Sequence, residues 1–594
     1  MRSWIFRIIA LAIPFVFFLL LELGLRLADF GHSYPLFIEN PANRHYLLPR
    51  PDIIKRYFGP KAEIPNVTME ANFLLKDKPA NGYRVFVQGG STAAGFPYGL
   101  GASVAGMLDN RLKATLSRHY VEVVNTAMSA VNSYTVLDFA DEIIQQKPDA
   151  VLIYMGHNEY LGILGVGSNY TAANSQASTL LFLKLKELRI FQLLQGLYGE
   201  IKGTGSPETR DLKGSRTFMA KVAKHKNIPF GSALYQAGIE QFDTNLGLLL
   251  AKYQKAGVPV YLATIASNLR DHAPFVSEPL RDEHKEKLQQ LADALSSHNP
   301  SAAKIQITEL LALAASLKHG LLYYHLGQLQ AKLGDVKGAA SSFLQAKELD
   351  LLRFRAPEKI NQVIRKHAKQ HDQVYLVDVA TRLANSSPDK IIGNNLMLEH
   401  LHPNLQGYFL LADSFYQSLE KYAGLGDWQN VDIAQAWRDR PLIPSEEYLG
   451  FAKILQLKAD YPFTDTAKKL TLPRPADWQQ ALGKQQFLKK IDWLSMMQQA
   501  LARYRTENNI AMSRKVMQLL ADALPHDEKI NRLAGDAFRQ NRQHGLSIYY
   551  YLRSVTANTN NPQTYAALIN AYKHTGQDKL ALIWQNKLAE LKIQ

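Results

Sequence analysis

Residues 83–95 read YRVFVQGGSTAAG. Val85, Phe86 and Val87 make a short apolar run, the length and composition of a buried strand, and Gly89 and Gly90 stop it. Ser91 then opens a helical pattern, so its side chain falls at the turn where a strand hands over to a helix. The design recurs at VEVVN (121–125) and AVLIYMG (150–156), with helical patterns between the runs in VAGMLDNRLKATLSRHY (104–120) and YTVLDFADEIIQQ (134–146). Fully apolar strands alternating with helices predict a parallel sheet covered on both faces. Further runs at VPVYLATI (258–265) and QVYLVDV (373–379) add two strands. The expected fold class is α/β, a three-layer α/β/α sandwich.

Three points along this frame carry residues suited to chemistry. Ser91 follows a strand at the carboxyl edge of the sheet, where α/β proteins place their sites, although a serine after two glycines is also an ordinary helix N-cap. His402, in EHLHPNLQGY, has Glu399 three residues earlier, near enough to hold one ring nitrogen while the other acts as a base. Asn158, in MGHNEY, ends the third strand and offers an amide to a developing oxyanion. Each residue alone also has a plain structural explanation.

The order of these blocks is more informative than any one of them. A serine after the first strand, Asn125 opening NTAMSA after the second, GHNE after the third and ExxHP near the end of the α/β part resemble the SGNH (GDSL-type) hydrolases, over residues 81–425. The resemblance implies a flavodoxin-like domain with esterase or acyl-transfer chemistry. By the match of blocks it puts Ser91 in the nucleophile's place and His402 with Glu399 in the base and acid places. The oxyanion hole would comprise Ser91, the backbone N–H of Ala130 and the side chain of Asn158. The chain departs from the family pattern at Gly90, where an aspartate commonly precedes the serine, at Ala130 for glycine, at GHNE for GxND, and at Glu399 for aspartate. A backbone donor survives the change to Ala130 if its φ is negative. His157 and Glu159 receive no role. This chemistry needs neither metal nor organic cofactor, and no HExxH, Walker-type or GxGxxG signature argues for one.

Outside the strands the chain is helical. A helical insertion over about 175–370 includes a unit at 319–350 resembling a tetratricopeptide-type helix pair, with Tyr323, Leu326, Gly327, Ala339, Phe343 and Ala346 in its large and small positions around a Gly334-Asp335 turn. The region 426–594 reads as a helical, repeat-like domain, with Tyr565, Leu568, Tyr572 and Ala581 in similar register. Arg353 and Arg355, in RFRAP, are expected at the surface as contacts for an acidic substrate. Helical repeats also offer a surface for a protein partner, so a tethered scaffold is the rival to an enzyme.

At the N-terminus, Ile8–Leu21 is an uncharged apolar run between Arg7 and Glu22. Residues 1–28 are expected to form an uncleaved anchor, since LELGLRLADF lacks small residues at a cleavage site. Arg2 and Arg7 precede the run while Glu22 and Asp29 dilute Arg26 after it, which predicts a single pass through a bacterial inner membrane with the bulk periplasmic. Residues 29–80 are Pro-rich and read as a covering arm or linker. The whole chain of 594 residues is long enough for about four domains. With 46% hydrophobic and 20% charged residues it is ordinary globular material, and its net charge of +15 is spread too evenly to indicate nucleic acid. Having no cysteine, it excludes disulfides, thiolate metal sites and a cysteine nucleophile. The expected substrate is an ester, on a cell-surface or exported carbohydrate before a lipid, with water or a sugar hydroxyl as acceptor.

Overall fold

In the computed structural model YRVFVQG (83–89) lies in strand β4 (Gly82–Gly89), the second strand of a five-stranded sheet. The structure describes residues 2–58, 64–168, 175–202, 219–220, 226–296 and 300–591. Three short strands precede β4: β1 (Phe37–Glu39), β2 (Tyr46–Pro49) and β3 (Leu74–Leu75). After it come β5 (Tyr120–Asn125), β6 (Ala150–Tyr154), β7 (Val260–Ala263) and β8 (Val374–Val377). The main sheet is parallel throughout, in the order β5-β4-β6-β7-β8, with Val85 facing Val123 on one side and Ala150 on the other. This is the doubly wound order with a switch point between the first and third strands of the sheet. That reversal leaves a crevice beyond the carboxyl ends of β4 and β6.

The sheet holds because nearly every side chain in β4, β5, β6 and β7 is buried, as expected where helices cover both faces. Helices Val104–Thr115, Ser133–Gln145, Ala233–Lys255, Glu358–Gln370 and Leu405–Tyr422 supply the covering layers. Between β7 and β8 the chain adds four further helices, from Asp282 to Glu348. The last two, Gly320–Lys332 and Val336–Glu348, form a hairpin at Gly334, whose φ of +78° suits glycine. They approach closely because Gly327 has no side chain: a Cβ there would lie 2.9 Å from the Phe343 ring.

The segment read as an irregular arm is more ordered than its composition implies. β1, β2 and β3 form an antiparallel sheet, and Leu36, Ile53, Tyr57 and Leu74 enter the main core. From Ile433 onward the chain is helical and includes the hairpins 493–506/510–523, 528–540/544–557 and 562–574/578–591. This region covers the β5 edge, where Tyr549 stacks on Tyr120 with ring centroids 5.0 Å apart, and Lys113 reaches Asp522 at 3.0 Å. Capping an exposed strand in this way removes an edge that invites unwanted pairing.

The N-terminal helix spans Arg2–Leu27, with Leu11, Phe15 and Leu19 at least two-thirds exposed. Among the described residues no helix is long and apolar enough to cross a membrane. Most side chains over positions 1–10, part of the expected anchor, lie outside that description.

Candidate active site

Ser91 begins the four-residue helix Ser91–Ala94 directly after β4. The turn depends on Gly89, whose φ is +155° and where a Cβ would lie 2.1 Å from the carbonyl oxygen of Tyr154 on β6. Any side chain would push the two strands apart at the point where the crevice opens. Gly90 serves a second purpose: a Cβ there would lie 2.9 Å from Asn158 Nδ2. Asn158 therefore occupies space that a larger residue before the serine would take.

His402 reaches Ser91 from 311 residues away, its Nε2 lying 2.7 Å from Ser91 Oγ. Its Nδ1 is bonded to Glu399 Oε1, the same oxygen that accepts the His402 backbone N–H at 3.1 Å. The loop is closed by Leu398 N–H donating to the His402 carbonyl at 2.9 Å, and Asn404 caps the helix that follows. The extra methylene of Glu399 does not dislodge the imidazole, because the loop curls back over the carboxylate and Leu401 N–H also donates to it at 3.2 Å.

His400 was not anticipated. Its Nδ1 pairs with Glu399 Oε2, so two imidazoles share one buried carboxylate. Burial alone would raise the Glu399 carboxyl, yet the two histidines hold it well below the usual carboxylate range. The three donor-type groups lie within 4.8 Å of one another, as in a metal site, but both Nδ1 atoms are already turned on the carboxylate. His400 is enclosed by the rings of Phe275, Phe354 and Phe463, and burial pushes its own pKa down. The adjacent EHLH motif contained this residue, and only its distance from Glu399 in space was hidden.

Asn158 sits in the single turn His157–Glu159 after β6, where it donates to the Val131 carbonyl at 2.9 Å. Ser91, Asn158, Val131 and Gly156 line a cleft of about 10 Å³, room for roughly one water or one oxygen atom. Ala130 is next to this lining and not part of it. Its φ is +65°, against the negative value on which its role as a donor was conditioned. The position is a left-handed turn of the kind glycine favours. Asn125, at the start of the same segment, accepts Ala127 N–H at 3.0 Å and shapes the loop from behind.

The two residues without a role prove to be struts. His157 accepts Ala356 N–H on Nδ1 at 3.2 Å and donates through Nε2 to the Ala266 carbonyl at 3.1 Å. That pattern requires a neutral ring, in accord with burial pushing its pKa down to about 3. Glu159 is fully buried; its carboxylate accepts Ser133 Oγ–H at 2.6 Å and Gln241 Nε2–H at 2.5 Å. Burial drives its pKa up to about 7.

Arg353 and Arg355 correct the sequence reading. They are 1% and 2% exposed, because the helical insertion folds back over them. Arg353 donates to the carbonyls of Ile228 and Glu348, and Arg355 to those of Asn268 and His272. Asn268 in turn donates to the Glu399 carbonyl at 3.1 Å, so Arg355 supports the histidine loop from beneath.

Neither a protein-family model nor a curated protein matches the chain. Among solved structures, a GDSL-like lipase from Bacteroides thetaiotaomicron is 11% identical, covering 57% of this chain and 88% of its own, with a TM-score of 0.25. A putative acylhydrolase from Bacteroides fragilis is 12% identical over 58% and 91%, with a TM-score of 0.25. An acetyl xylan esterase is 14% identical over 57% and 99%, with a TM-score of 0.24. These are likenesses of fold at low identity.

Proposed function

We propose that the protein is a serine esterase of the SGNH type, acting on an acyl ester by a two-step transfer. The observation that carries this reading is the linear relay Ser91–His402–Glu399, with Nε2 at 2.7 Å from Oγ and a buried carboxylate on Nδ1. Ser91 Oγ attacks the ester carbonyl carbon while its proton passes to His402 Nε2. The imidazolium then protonates the departing alkoxide and becomes neutral; in the second step neutral His402 takes a proton from water as the water oxygen bonds to the acyl carbon, and the re-formed imidazolium returns that proton to Ser91 Oγ as the acyl–serine bond breaks. Glu399 stabilises the imidazolium in both steps. The oxygen-sized cleft between Ser91 and Asn158 suits an oxyanion, with the Asn158 amide as donor.

An O-acylated carbohydrate is the substrate we favour, and a sugar hydroxyl in place of water would make the same site a transferase. We assign the N-terminal helix to a bacterial inner membrane, with the bulk of the chain periplasmic and the helical hairpins free to engage a protein partner. Exposed apolar side chains from Leu11 to Leu20 support that seat. Retention of the protein in membrane pellets after alkaline carbonate, with release by detergent, checks it.

The enzyme reading is tested with a fluorophosphonate probe. Wild type should label and Ser91→Ala should not. A folded wild type that takes no label overturns the assignment and leaves a scaffold.

A further inference from the structure

We infer that a second cavity, between the sheet domain and the C-terminal helices, binds a neutral saccharide. It has a volume of about 430 Å³, within the roughly 300–1,000 Å³ that small-molecule sites occupy. Three separate parts of the chain wall it: the arm through Tyr46 and Glu70, the sheet domain through Tyr98 and Tyr120, and the helical region through Trp493 and Tyr549.

The lining selects a chemical class. Tyr98, Trp493 and the edge of the stacked Tyr120–Tyr549 pair offer apolar ring surface against which the C–H face of a pyranose can pack. Five acidic side chains line it (Glu70, Asp109, Glu122, Glu446 and Asp522) with three cations (Lys113, Lys453 and Arg553), and Lys113 is already paired with Asp109 and Asp522 and Arg553 with Asp522, which leaves little free positive charge to hold a phosphate or carboxylate ligand. One polar atom in the lining, Gln486 Oε1, is shut off from solvent and finds no hydrogen-bond partner among the described residues, while Tyr46 Oη is shared by Tyr120 and Arg553. A buried acceptor left unpaired is costly, and a ligand hydroxyl can donate to it. Apolar ring surface, an unspent hydrogen-bond acceptor and charges paired within the wall together describe a neutral polyol ring.

The cavity also adjoins the proposed catalytic cleft along the chain. The segment leaving the Ser91 helix packs Phe96 against the His402 ring, at 4.8 Å between centroids, and two residues on Tyr98 enters the cavity wall. Tyr98 is held there by Gly450, where a Cβ would lie 2.4 Å from the ring. Saccharide binding stands on the cavity alone; its role in presenting an ester to Ser91 rests on the esterase reading.

The test is calorimetric titration of the full chain with maltotriose, cellotriose, chitotriose and xylotriose, with trigalacturonate as the anionic control. At least one neutral trisaccharide should bind saturably to wild type and equally to Ser91→Ala. Tyr549→Leu should weaken that binding about tenfold or more while keeping fluorophosphonate labelling. Should Tyr549→Leu fail to fold, Glu70→Ala replaces an exposed residue at the cavity mouth and should weaken binding about threefold. The inference is overturned if no neutral trisaccharide binds at about 10 mM, if trigalacturonate binds as tightly, or if a folded cavity variant binds like wild type. Loss of labelling in wild type with binding intact would remove the esterase reading and leave the saccharide site standing.

Discussion

Two glutamates are buried completely at the same edge of the sheet, and they end in opposite states. Glu399, in the loop before the helix Leu405–Tyr422, is held well below its usual range because His400 and His402 share its oxygens. Glu159, in the loop after β6, meets only neutral donors, Ser133 and Gln241, and burial drives it up to about 7. Burial alone does not decide the charge of a carboxylate; the partner does. Only the first glutamate can stabilise an imidazolium as it forms. The second can be an anchor, tying the Asn158 turn to the start of the helix Ser133–Gln145.

The largest expected effect comes from removing the charge on one side of this comparison. Glu399→Gln keeps the shape of the side chain but leaves His402 without an anion and free to adopt the wrong tautomer. Hydrolysis of a chromogenic acetate ester should fall about 10³- to 10⁴-fold in kcat/KM, with labelling by fluorophosphonate slowed in parallel. If the loss is under about tenfold, Glu399 is as structural as Glu159 and the comparison collapses. Asn158→Ala ranks next. It removes the amide beside Ser91 without touching either glutamate, and kcat should fall about 10²- to 10³-fold with little change in KM.

The sequence made one side of this comparison far more legible than the other. The five strands were readable because each is a short apolar run ending in a turn, a signal carried by neighbouring residues. Ser91, His402, Glu399 and Asn158 were readable because blocks in a fixed order point to one edge of such a sheet. What stayed hidden depends on distant partners. Glu159 gains its meaning from Gln241, 82 residues away, and Arg353 is buried by contacts that include Ile228, 125 residues away. A surface arginine and a buried one have the same local sequence. The left-handed turn at Ala130 gave no warning, because alanine usually signals the opposite. The cavity walled by Tyr46, Tyr98 and Tyr549 joins segments some 500 positions apart, beyond any periodicity.

Glu159→Gln sharpens the comparison through pH. A carboxyl whose folded pKa is raised to about 7 from 4.5 binds its proton more tightly when folded. Its contribution therefore favours the folded state below about pH 4.5 and declines as pH rises through 7, by up to about 3 kcal/mol. Glutamine has no proton to lose. The wild-type minus variant difference in urea unfolding free energy should therefore fall between pH 5 and 8, as wild type weakens and the variant does not. Ester hydrolysis at neutral pH should stay within about threefold, as expected of an anchor. A flat difference would mean that Glu159 is ionised throughout, like Glu399.

The smallest effect belongs to Ala130, on the loop that Asn158 latches through Val131. Its carbonyl accepts Ile163 N–H at 2.8 Å, so the loop is fixed at both residues and cannot relax its φ of +65°. A left-handed alanine costs about 1–2 kcal/mol relative to its preferred conformation, whereas glycine adopts it freely. Ala130→Gly removes that strain but gives the unfolded chain more freedom, which takes back about 0.4–1 kcal/mol. The net gain should be about 0.5 kcal/mol, read as a small rise in the urea midpoint at unchanged slope. Turnover should not move, since the backbone N–H is present in both variants. A fall in kcat with the midpoint raised would show instead that the strained alanine sets the position of that N–H, and that the β6 side of the site tolerates less freedom than its neutral hydrogen bonds imply.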